Sequence, residues 1–329
     1  MVELLRFSEI LKITNPLWVF FNLPIYGYTV NNSLMNKLLI IIFALSISTV
    51  ANADVKGKAL NELSEKISST IGSLVPGEGL TELDIKLSDK DDNDPQFNIL
   101  ILRDLHKKET SNFFTQVSLH TQDVGVSNLR YIGNFGLGYR MLSEDKNYMF
   151  GTNIFYDKDL QKPHSRASIG LEAKAGILDF NFNKYYSASL QEVADERKEQ
   201  SLGGMDYTLS SQAPYMPWMK LHLTGYKYDA DIASNDTKGR KYETEMNLTS
   251  SLILTGEFDK SGNDGGDDIS SLKISFIYPP RNSTPSLADG FMSKEKFYVK
   301  DMTSTLSEKV KRNNNLVIET QGAVVITKQ

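Results

Sequence analysis

The sequence predicts an all-β chain, folded as a twelve-stranded antiparallel transmembrane β-barrel. Three observations carry this. Between Leu80 and Tyr278 apolar residues recur with a period of two, the alternating runs are mostly 8–11 residues long, and the connections between them are alternately long and short. Soluble strands average about 5–6 residues, whereas a tilted strand crossing a bilayer needs roughly 9–11.

Composition narrows the alternatives. The 329 residues carry a net charge of −5 and no cysteine, with 22 Gly, 15 Tyr and 16 Phe against 2 Trp. A mean hydropathy of −0.32 excludes a bundle of membrane helices, each needing about 20 apolar residues. Disulfides and cysteine-ligated metals are ruled out, and four histidines do not support a His-rich metal site. The acidic balance argues against nucleic acid, whose phosphates are neutralised by Lys and Arg.

Taken in order, Met35-Asn36-Lys37 precede a 13-residue apolar run over 38–50 and the small-residue site Ala51-Asn52-Ala53. This is the layout of a secretory signal peptide. Residues 1–34 are therefore read as an upstream extension, 35–53 as the leader, and Asp54 as the first mature residue. Leu60, Leu63, Ile67 and Ile71 mark an amphipathic helix in a periplasmic segment 54–79. The barrel then covers 80–279, with strands at 81–88, 96–103, 112–121, 130–141, 146–156, 165–175, 177–186, 201–210, 218–228, 240–248, 252–259 and 269–278.

Alternation is clearest at 131–141, where Tyr131, Gly133, Phe135, Leu137, Tyr139 and Met141 oppose Asn134, Gly136, Gly138 and Arg140. The apolar face is assigned to lipid and the polar, glycine-rich face to the lumen. Charge is expected to be better tolerated at Asn134 than at Leu137. Connections after odd strands are the longer ones, as in bacterial barrels with long outer loops and short periplasmic turns. A closed barrel is the one sheet that satisfies its backbone within lipid.

Within this frame several stretches resemble the β-domain of the intimin/invasin family, the inverse autotransporters. They are Gly136-Leu-Gly138-Tyr139-Arg140, Asn153-Ile-Phe-Tyr156-Asp157-Lys-Asp159, His164-Ser-Arg166-Ala-Ser-Ile-Gly-Leu-Glu172 and Val310-Lys-Arg312-Asn313-Asn314-Asn-Leu-Val-Ile-Glu319. Leu171 stands where the family has a glycine. The resemblance implies a periplasmic N-terminus and a helical linker that enters the pore and carries a C-terminal passenger outward. It assigns 280–315 to the linker with its pore helix and 316–329 to a short extended tail. Fourteen residues over 316–329 fall far below the ~100 of an Ig-like domain, so the chain is read as a truncated or minimal member of an adhesin family. A stand-alone surface-loop adhesin and a small-solute pore are the alternatives. Expected partners are outer-membrane lipid, the barrel-assembly machinery and a host or bacterial surface ligand.

No catalytic, metal or cofactor site is expected. His164 and Ser165 are adjacent and point to opposite faces, while Gly136 and Gly138 precede no helix that would make a phosphate cradle. The acidic run Asp89–Asp94 lacks the glycine and terminal glutamate of a calcium loop. Asp157, Asp159, His164 and Arg166 are read as a network holding an outer hairpin. Arg312, Asn313 and Asn314 are expected to meet inward acids such as Glu172, Asp179, Glu243 or Glu245. Val317, Ile318, Val324, Val325 and Ile326 favour an extended tail.

Overall fold

A computed structural model describes residues 77–89, 95–123, 129–189, 192–194, 197–231, 235–263, 266–281, 283–299, 302–320 and 323–325. The leader at 35–53, the helix expected within 54–73, most of the acidic run and the last residues of the tail lie outside the described residues.

Strands run in chain order as β1 (Gly79–Ser88), β2 (Gln96–Lys107), β3 (Ser111–Asp123), β4 (Leu129–Leu142), β5 (Tyr148–Asp159), β6 (Ser165–Ala175) and β7 (Leu178–Ser187). There follow β8 (Glu192–Ala194), β9 (Arg197–Ser201), β10 (Gly204–Ala213), β11 (Met216–Tyr228), β12 (Thr237–Asn247), β13 (Leu252–Ser261) and β14 (Ile269–Tyr278). The chain ends with β15 (Ile318–Thr320) and β16 (Ala323–Val325). Twelve of these close a barrel in the order β1-β14-β13-β12-β11-β10-β7-β6-β5-β4-β3-β2. Every neighbour is antiparallel, and β1 meets β14 with Leu83 opposite Phe276. The twelve expected strands are all present. Several run longer than the sequence pattern, because pairing continues into charged ends such as His106–Lys107 where alternation has faded.

Burial alternates as the pleat requires. On β4 the residues Arg130, Ile132, Asn134 and Arg140 are buried, while Tyr131, Phe135, Tyr139 and Met141 are exposed. Phe135, Ile154, Leu171 and Tyr207 are all more than half exposed on the outer wall. Apolar outside and charged inside inverts a soluble protein, and a bilayer supplies the missing cover. Turns at one end span two to five residues, and loops at the other five to sixteen, which marks the latter as the outer end.

After β14 the chain lies across the periplasmic mouth. Ala288 donates to the Leu248 carbonyl, Ser293 to that of Tyr215, and Tyr215 to that of Lys296. Trp218 Nε1 donates to the Phe291 carbonyl at 2.8 Å. A short 3-10 helix, Met302–Ser307, packs Met302 and Leu306 on Leu142 and Met149 where the chain enters the lumen.

The expected pore helix is corrected here. Residues 308–317 carry no helix. A helix earns its place by satisfying its own main chain, and in this lumen the wall side chains do that instead.

Candidate functional site

The site is the lumen, threaded by residues 306–316. Inward positions of four strands, β3, β4, β6 and β7, bind its main chain. Carbonyls accept from Asn112 and Arg140 at Leu306 (3.0 and 3.2 Å), from Arg140 at Glu308 (2.5 Å) and from Asn183 at Lys311 (3.1 Å). Further on they accept from Arg166 at Asn313 (2.8 Å), Asn134 at Asn314 (3.0 Å) and Gln122 at Leu316 (2.6 Å). The N–H groups of Val310, Asn313 and Leu316 donate to Gln116 Oε1, Tyr185 Oη and Gln122 Oε1, each at 2.9 Å. Gln122 therefore grips both polar groups of one residue.

Side chains fix the register. Asp157 is fully buried and stands opposite Arg166 across β5–β6 and opposite Asn134 across β4–β5. Its Oδ2 accepts from Arg166 Nη2 at 2.8 Å and from Arg312 Nη2 at 2.6 Å, while its Oδ1 accepts from Arg312 Nη1 at 2.9 Å and Asn134 at 2.7 Å. Removing two guanidiniums from water is costly unless they are paired and hydrogen-bonded; one carboxylate serves both. Lys309 reaches Glu82 at 2.5 Å and Lys311 reaches Glu243 at 2.9 Å. Glu308 takes Lys174 at 2.5 Å, and Val310 fills an apolar cluster with Leu80, Phe114 and Phe155.

The glycines of β4 explain how the cations fit. Gly136 lies opposite Phe155, and Gly138 opposite Phe114. A Cβ at either position would stand 2.3 Å from the facing ring, well inside contact distance, so the rings can lie flat on β4 only over glycine. Arg312 stacks 4.3 Å above Phe155 and Arg140 4.4 Å above Phe114, in the range of cation–π attraction. Arg140 also pairs with Glu172 at 2.9 Å.

Of the residues singled out from sequence, Gly136, Gly138, Arg140, Asp157, Arg166, Glu172, Val310, Arg312, Asn313 and Asn314 meet in this lumen. Asn313 Nδ2 donates to Tyr228 Oη at 2.6 Å. Tyr139 and Tyr156 point outward, 40% and 47% exposed, and form part of the wall. Asp159 lies at the rim with Arg130 at 3.2 Å, and Glu319 is buried in β15, accepting from the Asp231 N–H at 2.9 Å.

Three expectations change. Arg312 binds Asp157, because Glu172 is held by Arg140, Asp179 by Lys220 and Glu243 by Lys311. Asp157 and Arg166 hold the linker as well as their own hairpin. Asn134, 2% exposed and bonded to both Asp157 and Asn314, leaves no room for a tolerated arginine. Sequence reasoning passed over Gln116, Gln122, Asn134, Asn183 and Tyr185 as readers of main chain. Their common signal is an amide or hydroxyl at an inward position, visible only once the pleat is assigned.

Residues 44–314 match the family described as inverse autotransporter, beta-domain. Among curated proteins the chain is similar to the inverse autotransporter adhesin YeeJ of Escherichia coli (strain K12), 26% identical over 63% of this chain and 9% of that protein. It is likewise similar to an attaching and effacing protein homolog of the same strain, 26% identical over 61% of this chain and 65% of that protein. It thus spans less than two thirds of either relative. A structure solved for work on the in-meso crystallization of membrane proteins superposes with a TM-score of 0.58 at 17% identity, over 73% of this chain and 99% of its own. That likeness concerns the fold alone. From the family match and the closed, lipid-faced barrel, the chain belongs to the inverse autotransporter β-domain family of the bacterial outer membrane.

Proposed function

We propose that this barrel anchors a C-terminal segment that has passed through it, with the linker left in the lumen as a stopper and the chain beyond Leu316 outside the cell. The observation that carries this reading is the binding of the linker main chain by wall side chains from one mouth to the other. Recognition through backbone groups tolerates any passing sequence, and the ion pairs at Lys309, Lys311 and Arg312 supply the resting register. Adhesion, named for the relative YeeJ, would belong to whatever lies outside. Outer-membrane lipid and the assembly machinery are the partners this placement implies; a surface ligand would be met by the outer loops. The division into a leader at 35–53 and a periplasmic segment at 54–79 belongs to the same proposal.

The reading is of an anchor and not an enzyme. One arrangement deserves comparison with a catalytic triad: Ser210 Oγ is 2.7 Å from His222 Nδ1, and Glu245 Oε2 is 3.9 Å from Nε2. A triad needs the third group within hydrogen-bond reach of the base, and Ser210 and His222 are sealed in the wall at 2% and 8% exposure.

An epitope tag fused after Gln329 tests the proposal. Labelling on intact cells is expected. Labelling only after permeabilisation of the outer membrane would overturn it.

A further inference from the structure

Outside the lumen, two strands that the sequence did not reveal, β8 and β9, join β15 and β16 of the expected extended tail in a second sheet of order β16-β15-β9-β8. The first two come from the longest outer loop and the other two from the tail that follows the linker out of the barrel. We propose that the β8–β9 hairpin is a strand-receiving surface on the outer mouth, whose β9 edge takes up the extended polypeptide leaving the lumen and holds it outside. The inference rests on the export reading above and adds a step to it.

Four observations converge. First, the hairpin is fastened to the barrel by groups that do not involve the linker. Glu199 accepts from Arg130 Nη2 with both oxygens (2.8 and 3.0 Å) and faces His164 Nε2 at 3.1 Å. Ser201 Oγ donates to the Ser165 carbonyl at 2.8 Å. The receiver can therefore be in place before any chain arrives.

Second, β15 pairs antiparallel with β9, placing Ile318 opposite Ser201, Glu319 opposite Gln200 and Thr320 opposite Glu199. Leu202 N–H extends the ladder to the Val317 carbonyl at 2.8 Å. Strand addition of this kind binds through main chain, with specificity left to alternate side-chain pockets.

Third, those pockets exist. Leu316 and Ile318 pack on Ile132, and Val317 on the other side packs against Tyr185, Leu202 and Tyr228. Fourth, Glu319 and Gln200 meet the β11–β12 loop from both strands, at the Asp231 N–H (2.9 Å) and Asp231 carboxylate (2.6 Å). Without β15 the β9 edge would present unpaired main chain to water or to another chain. An emerging extended segment completes it. Each residue paired there resists return to the lumen.

The absence of native cysteine makes the test clean. In the full chain tagged after Gln329, Gln200→Cys with Glu319→Cys should form a disulfide in intact outer membranes. Replacing 190–200 by a short Gly-Ser turn should lower the rate of surface labelling several-fold. It should also open a new external protease site after Leu316, with the heat-modifiable band of the folded barrel retained. Should that variant fail to insert, Gln200→Pro, which keeps Glu199 and Ser201, is expected to give the same two effects. Unchanged labelling rate and protection in the inserted variant, or no 200–319 disulfide, would overturn the receiver. If the unaltered tagged chain were never labelled outside while the disulfide formed, the export reading would fall, and the hairpin would be a static contact with no role in export.

Discussion

The lumen and the outer mouth hold consecutive stretches of one linker by different physics. Inside, 306–316 are held by side chains from the wall, and the strongest contacts are buried ions centred on Asp157. Outside, 317–320 are held by main-chain pairing with β9 and by apolar pockets. The difference follows from what each place offers. A closed barrel has no free strand edge, so its interior can offer only side chains. The outer loop has an edge, and a strand edge is satisfied most directly by another strand. The ionic grip is specific in register; the paired grip is tolerant of sequence. A segment that must be stopped at one point needs the first, and a segment that must slide until stopped is suited by the second.

The largest effect should come from removing the shared anion. Asp157→Asn leaves two buried guanidiniums, Arg166 and Arg312, facing a neutral amide. Breaking a buried pair from one side typically costs about 3–5 kcal/mol, read here from the urea midpoint of the inserted barrel. Adding Arg312→Met should recover part of the loss, because one uncompensated charge leaves with it. The exit sheet should stay protected throughout. A loss below about 1 kcal/mol would mean the pair is screened as at a surface, and the contrast between the two regions would collapse.

A smaller effect isolates shape from charge. Gly136→Ala changes no ion, but its Cβ would stand 2.3 Å from the Phe155 ring. The ring must tilt and lift Arg312, at a cost of about 1–3 kcal/mol typical of overpacking. Phe155→Leu in the same chain should regain most of the room. Equal stability of Gly136→Ala and the parent would show that the ring is not seated on β4.

Much of this architecture is legible from sequence, and the limits fall where pairing across the barrel begins. Every barrel strand is visible because alternation is a local signal: Tyr131 to Met141 declares both of its faces in eleven residues. The strands β8 and β9 are hidden because they are three and five residues long and charged, as in Arg197-Lys198-Glu199. Their identity as strands comes from what they pair with. The pore helix was expected from the family resemblance; Asn134, Gln116, Gln122 and Asn183 take over the hydrogen bonds that would have made a helix necessary. Arg312 was matched to acids by inward parity alone. Parity says which face a carboxylate is on, but its depth and its competing partners decide which cation reaches it, and four strands separate Glu243 from Asp157 around the wall.

The smallest expected effect distinguishes the two regions by proton. Inside, the cations gripping Asp157 are guanidiniums, which do not titrate in the accessible range. At the outer rim His164 sits just before β6 with its Nε2 on Glu199. Burial pushes its imidazole below the ordinary value, against the hydrogen bond and charge of Glu199, and Arg130 adds to the lowering while Asp159 opposes it. With the folded value depressed, the unfolded rim binds more protons once pH drops below about 6.5. Stability from this group is therefore full above that point and lost as pH falls from there through the folded value. External proteolysis of the β8–β9 hairpin should accelerate modestly between pH 7.5 and 5, and His164→Gln should remove most of that dependence. The Arg312 contact with Asp157 in the lumen should not change over the same interval, since that carboxylate answers to two permanent cations. If acidification loosened the lumen first and left the hairpin protected, His164 would be ruled out as the titrating contact, and the outer mouth would be the more robust of the two grips.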